Sequence, residues 1–94
     1  MDEHIPAKVA RHAVGLVDGA SLVDRLAHCR VTAERQYAYA MLGREDSESW
    51  AHSSRGYLRH AARYGGEIRR RLSAGIEAET IQAALDYYGI ILPN

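Results

Sequence analysis

The sequence predicts an all-α protein, a small bundle of four to five helices with one long central or spanning helix at about 47–74. Three observations carry that prediction. Apolar residues make up 47% of the 94 positions, and most recur at three- and four-residue spacings. Glycines and short polar residues punctuate those periodic stretches at Asp18-Gly19, Gly43, Gly75 and Gly89. Only two prolines occur, and the one stretch with strand-like alternation is Ala13–Val17. A chain of 94 residues suits one hydrophobic core, so 1–94 reads as a single helical domain.

The first expected helix covers about 6–17. Pro6 fits the first helical position, where a missing N–H costs nothing, and Ile5, Val9, Ala13 and Leu16 follow at helical spacing. Gly15 weakens it by about 1 kcal/mol relative to alanine, and Ala13–Val17 also fits a short strand. Asp18-Gly19 reads as its stop.

The second helix is expected at about 22–42, with Ser21 as N-cap, Asp24 in the first turn and Gly43 as the stop. Leu22, Leu26, Cys29, Ala33, Tyr37 and Ala40 share one stripe. Val23, Ala27, Val31, Ala38 and Met41 form a second, flanking one. A helix apolar over so much of its circumference needs cover on two sides, from its own chain or from a second subunit.

The third helix begins near Asp46 or Ser47. Trp50, Ser54, Tyr57, Leu58, Ala61 and Tyr64 make one side, and Arg55, Arg59 and Arg63 with His52 make the other. Gly65-Gly66 resembles a break, and a kink there would give two helices. Yet Ile68 and Leu72 continue the apolar stripe in phase, and Arg70 continues the arginine row. That favours one helix over 47–74, about 40 Å long at 1.5 Å per residue. The glycine pair costs it about 2 kcal/mol of propensity, which the close approach of another helix would offset. The last helix is expected at 78–88, where Ile81, Ala84, Leu85 and Tyr88 follow at i, i+3, i+4 and i+7. Gly89 then Ile90 suit a Schellman cap. The apolar end Ile91-Leu92 must fold back or dock on a partner.

The formal net charge is zero, from 12 basic and 12 acidic residues. That excludes a general polyanion coat and an acidic disordered tail. The charge is nevertheless segregated. Residues 55–71 carry +5 (six Arg against Glu67), between stretches of −3 at 45–54 and 72–94. Eleven of the twelve basic residues are Arg, the better type for bidentate and stacked contacts. Met1-Asp2-Glu3-His4 is acidic with no apolar run after it, so no secretory leader is expected, and the sequence reads as a complete small protein. No apolar run reaches 18 residues, so no membrane span is expected. Cys29 is the single cysteine, which points to a reducing compartment and a cytoplasmic location.

No catalytic residue, metal site or cofactor is expected. No two of the five histidines stand three or four apart, and Cys29 sits on an apolar stripe as a buried, inert thiol. Gly65-Gly66 is too short for a phosphate loop, and no nucleophile elbow occurs. The stretch Glu67–Ile90 loosely resembles a helix-turn-helix. Arg71, however, stands where a small residue is expected, and 78–88 carries Glu79 and Asp86 with no Lys or Arg.

These features predict a non-enzymatic regulatory protein (an adaptor, anti-activator or inhibitor) that binds another protein and forms a homodimer. Tyr, Trp and Arg concentrate at interface centres, and this chain has six Tyr and one Trp but no Phe. The candidate partner-binding residues are Arg55, Arg59, Arg63, Arg69, Arg70 and Arg71, facing an acidic partner surface, with Tyr87, Ile91 and Leu92. The alternative is a small transcriptional regulator that lays the same arginine row on nucleic-acid phosphates.

Overall fold

The computed structural model describes residues 14–92. Among them every regular element is helical. After a helical turn at 14–16, the chain forms α1 (Gly19–Ala40), α2 (Ser47–Ala74) and α3 (Ala78–Tyr88). The expected helix at 6–17 lies outside the described residues except for its end, where 14–16 is helical rather than extended.

α1 starts three residues before the expected boundary. Asp18, not Ser21, is its N-cap. The Asp18 carboxylate accepts from the Ser21 N–H at 3.0 Å and from the Ser21 hydroxyl at 2.8 Å. Both bonds favour the charged carboxylate and lower its pKa. Asp18-Gly19 is therefore the start of a helix rather than the stop of one. α1 ends at Ala40, and Gly43 takes the left-handed conformation in the turn that follows (φ 70°).

α2 runs unbroken from Ser47 to Ala74, through Gly65-Gly66. No helix approaches closely at the glycines, contrary to the expectation. A Cβ on Gly66 would face open space, and one on Gly65 would meet only the Arg69 guanidinium, at 3.9 Å. Continuity comes instead from the preserved phase of Tyr64, Ile68 and Leu72, which all pack into the core. Asp46 precedes the helix without capping it through its side chain. Its carboxylate accepts the Trp50 indole N–H at 3.0 Å instead.

α3 runs from Ala78 to Tyr88, as its spacing predicts. Both α2 and α3 end in Schellman caps. Gly75 and Gly89 are left-handed. Ile76 N–H donates to Arg71 O at 2.8 Å, and Ile90 N–H donates to Leu85 O at 2.9 Å.

α1 and α2 pair antiparallel. The Ser54 hydroxyl on α2 donates to Ala33 O on α1 at 2.8 Å, while Arg71 near the end of α2 reaches Gly15 O at 3.2 Å. α3 packs mainly on α1. The core contains Leu22, Val23, Leu26, Ile68, Ile81 and Leu85, with Cys29 and Ala61 beside them. The close helix approach in this fold is at Gly19, where an added Cβ would lie 2.6 Å from Ile81 Cγ1. Glycine is needed there because Ile81 is fully buried and cannot retreat.

One buried charge fixes how these pieces meet. Arg71 is only 4% exposed. Its Nε donates to Glu67 at 2.8 Å, its Nη1 donates to Glu77 at 3.0 Å, and its Nη2 donates to the carbonyl of Gly15. The other Glu77 carboxylate oxygen accepts the Gly19 N–H, an orphan donor of α1's first turn, at 3.1 Å. Glu77 holds this position in a left-handed conformation (φ 51°), which costs a residue with a Cβ about 1–2 kcal/mol. The two bonds its carboxylate makes offset that cost.

Two sets of substitutions test this packing in urea melts. Gly66→Ala should add about 1 kcal/mol, because it improves helix propensity without a clash, whereas Gly19→Ala should remove about 1–3 kcal/mol by overpacking. Arg71→Met should remove about 3–5 kcal/mol, as expected when one partner of a buried charge network is lost. Arg70→Met, at a solvent-exposed pair, should leave the urea midpoint almost unchanged.

Candidate functional site

The second apolar side of α1 is only partly covered. Val23 is buried and Ala27 half-buried, yet Val31 is 51% exposed and Ala38 and Met41 are exposed. Across from Val31, Leu58 of α2 is also 51% exposed. Leu58 falls beside the core stripe because it lies about 40° further round the helix than Ser54, at 100° per residue.

Val31 and Leu58 line the first of three neighbouring hollows, which share lining residues and together form a groove. The first lies between Ala27, Val31 and Glu34 of α1, Leu58 of α2, and Tyr88–Ile90. The middle one, of about 290 Å³, has Ala61, Ala62 and Gly65 as its floor, with Leu26 and Leu92 beside them. The third runs over Leu72, Leu85 and Asp86 beneath the C-terminal residues 90–92. Arg30 lines the first two and Arg69 the last two.

The expected binding residues divide among several environments. Arg69, Ile91 and Leu92 line the groove. Leu92 is half-buried and packs on the core, whereas Ile91 is 89% exposed. Tyr87 is exposed beside the groove's end and meets Tyr88 edge to face at 5.0 Å. The Tyr88 hydroxyl donates to the Asp24 carboxylate, which fastens the end of α3 to α1 and raises the tyrosine pKa. Arg55 and Arg59 are exposed and Arg63 is half-buried, and none has an ion pair among the described residues. Helical phase places Arg59 and Arg63 on the side of α2 away from the core.

Two of the six candidate arginines, Arg70 of the row and Arg71 beside it, are already engaged within the chain. Arg71 is buried in the network described above and belongs to no exposed surface. Arg70 is exposed but bound to Glu67, with contacts of 3.0 and 2.8 Å. Arg30, Val31 and Leu58 also line the groove and are not among the residues the sequence picks out for binding. The available signal was the uncovered second stripe of α1, with Arg30 on its border.

Hydrogen bonds from Arg70 and Arg71 hold the Glu67 carboxyl down at about 2, far from the range in which a carboxylate exchanges protons at neutral pH. Burial pushes the Cys29 thiol up, away from the reactive thiolate. Among the described residues no three of His, Cys, Asp and Glu are grouped to hold a metal ion, and no helix is long and apolar enough to cross a membrane. At the other end of the hairpin Tyr39 and Trp50 pack at 4.9 Å, with Met41 and Leu42 exposed nearby.

The Glu67 interaction predicts a pH dependence. A carboxyl lowered from 4.5 to about 2 by folding contributes its full stabilisation above pH 4.5. That contribution falls as pH drops below 4.5 and is gone below about 2. Urea midpoints measured between pH 7 and pH 2 should therefore decline over this window in the wild type, and less steeply in Glu67→Gln. No family model, curated protein or solved structure matches this chain, so its own residues carry the functional argument.

Proposed function

We propose that this chain is a small non-enzymatic regulatory protein, an adaptor, anti-activator or inhibitor, that acts by binding another protein along the α1–α2 groove. The observation that carries this reading is the exposure of Val31 and Leu58 at the first hollow and of Ile91 at the third. Covering these side chains would remove apolar area from water at about 25 cal/mol per Å². The groove is lined by side chains from both long helices, so it keeps its shape before a partner arrives, and less ordering entropy is lost on binding. Self-association belongs to the same reading, supported by the exposed Tyr37, Met41 and Leu42 at the hairpin end.

Nucleic-acid binding is the second reading, favoured by the exposed, unpaired Arg55 and Arg59. Phosphate contacts would show as log K falling with log[salt] at about 0.9 per contact. The two readings use different sides of α2, so mutations separate them. Affinity capture from the source cells should recover a partner with the wild type and with Arg59→Glu/Arg63→Glu. It should fail with Leu58→Asp, provided circular dichroism shows that both variants keep their helices. A partner that survives Leu58→Asp and is lost with Arg59→Glu/Arg63→Glu would move the site to the arginine row and overturn the groove.

A further inference from the structure

The groove has a charge pattern that specifies its occupant more narrowly than its apolar lining does. Arg30 on α1 and Arg69 on α2 reach the middle hollow from opposite walls. Neither has an ion pair or a side-chain hydrogen bond among the described residues. Two guanidinium groups around one apolar hollow repel each other, and that repulsion becomes attraction when a carboxylate sits between them. The hollow has room for one. Its floor of Ala61, Ala62 and Gly65 carries nothing larger than a methyl, and above Gly65 the nearest atom is Arg69 Nη1 itself, 3.9 Å from where a Cβ would stand.

Resting on the protein-binding reading above, we propose that the groove receives an acidic amphipathic α-helix of a partner protein. The helix lays its apolar side on Val31 and Leu58, and a central carboxylate enters between Arg30 and Arg69. A helix fits better than a strand. The long walls are helices whose backbone groups are already paired, so an extended peptide would find no sheet edge, whereas a helix satisfies its own backbone. The low floor lets its side chains seat deeply. A second copy of this chain fits poorly, because a two-fold contact centred on the groove would set Arg30 and Arg69 against their own equivalents. Glu34 at one end and Asp86 at the other extend the code to basic, acidic, basic along the incoming helix.

Two synthetic probes test this on the full chain. Each is an amphipathic helical peptide of about 18 residues, roughly 27 Å long, with leucines on one side. One carries glutamate at its centre and the other lysine. Fluorescence anisotropy should show the glutamate peptide binding at least about tenfold more tightly, about 1.4 kcal/mol. Arg30→Gln/Arg69→Gln should abolish that preference while circular dichroism stays unchanged, and Leu58→Asp should abolish binding of both. Equal binding of both peptides that depends on Leu58 would overturn the acidic helix and leave the protein-binding groove standing. Binding of neither peptide, or binding that ignores Leu58, would overturn the proposal. So would tighter binding of a twelve-carbon fatty acid at the same residues, which would make the groove a site for small amphiphilic anions.

Discussion

The Arg71 guanidinium sits where three parts of the chain meet, and each of its three nitrogens donates to a different one. It binds Glu67 within its own helix, Glu77 in the turn before α3, and Gly15 at the end of the helical turn that precedes α1. A buried cation of this kind is tolerated only because its donors are matched. The matching dictates geometry in turn. Glu77 accepts a left-handed backbone, and Gly19 must lack a side chain so that α1 can lie against Ile81. α3 is thereby held on the N-terminal half of α1. The rest of α1's second apolar stripe, from Ala27 to Ala38, is left without a covering helix, and this is where the groove opens.

Parts of this arrangement are written in the sequence. The bounds of α2 and α3 follow from periodicity, because the stripe that includes Ile68 and Leu72 keeps its phase across two glycines and Gly75 and Gly89 stop what precedes them. Cys29 lies on the apolar stripe and is buried. The start of α1 was less legible. Asp18-Gly19 has the residue types of both a stop and a start, and what decides between them is a contact with Ile81, more than sixty positions away. Arg71 misleads for a related reason. By spacing it is one more arginine in a basic stretch, and only the fold brings Glu77 and Gly15 to it.

The candidate site divides along the same line. Ile91 and Leu92 stand out in any reading, since apolar residues near a terminus need cover. Arg69 was legible as charge but not as the wall of a groove. Leu58 has the spacing of a core residue, and its half exposure follows from its place at the edge of the core stripe of α2. Arg30 becomes informative only once Arg69 is seen across from it. The chain thus presents two unlike surfaces on α2, an apolar groove with two basic walls and an outward arginine row, and the proposed specificity for a helix rests on the first.

The central claim is that the Arg71–Glu77–Gly19 linkage sets the positions of the helices and so opens the groove. Amide hydrogen exchange tests it most directly. Gly19 and Ala20 both lie in the first turn of α1, where N–H groups lack helical partners, but only Gly19 donates to Glu77. The account predicts that Gly19 exchanges as slowly as core amides such as Leu26 and Ile68, while Ala20 exchanges freely. A Gly19 amide that exchanges as fast as Ala20 in the folded protein would contradict it.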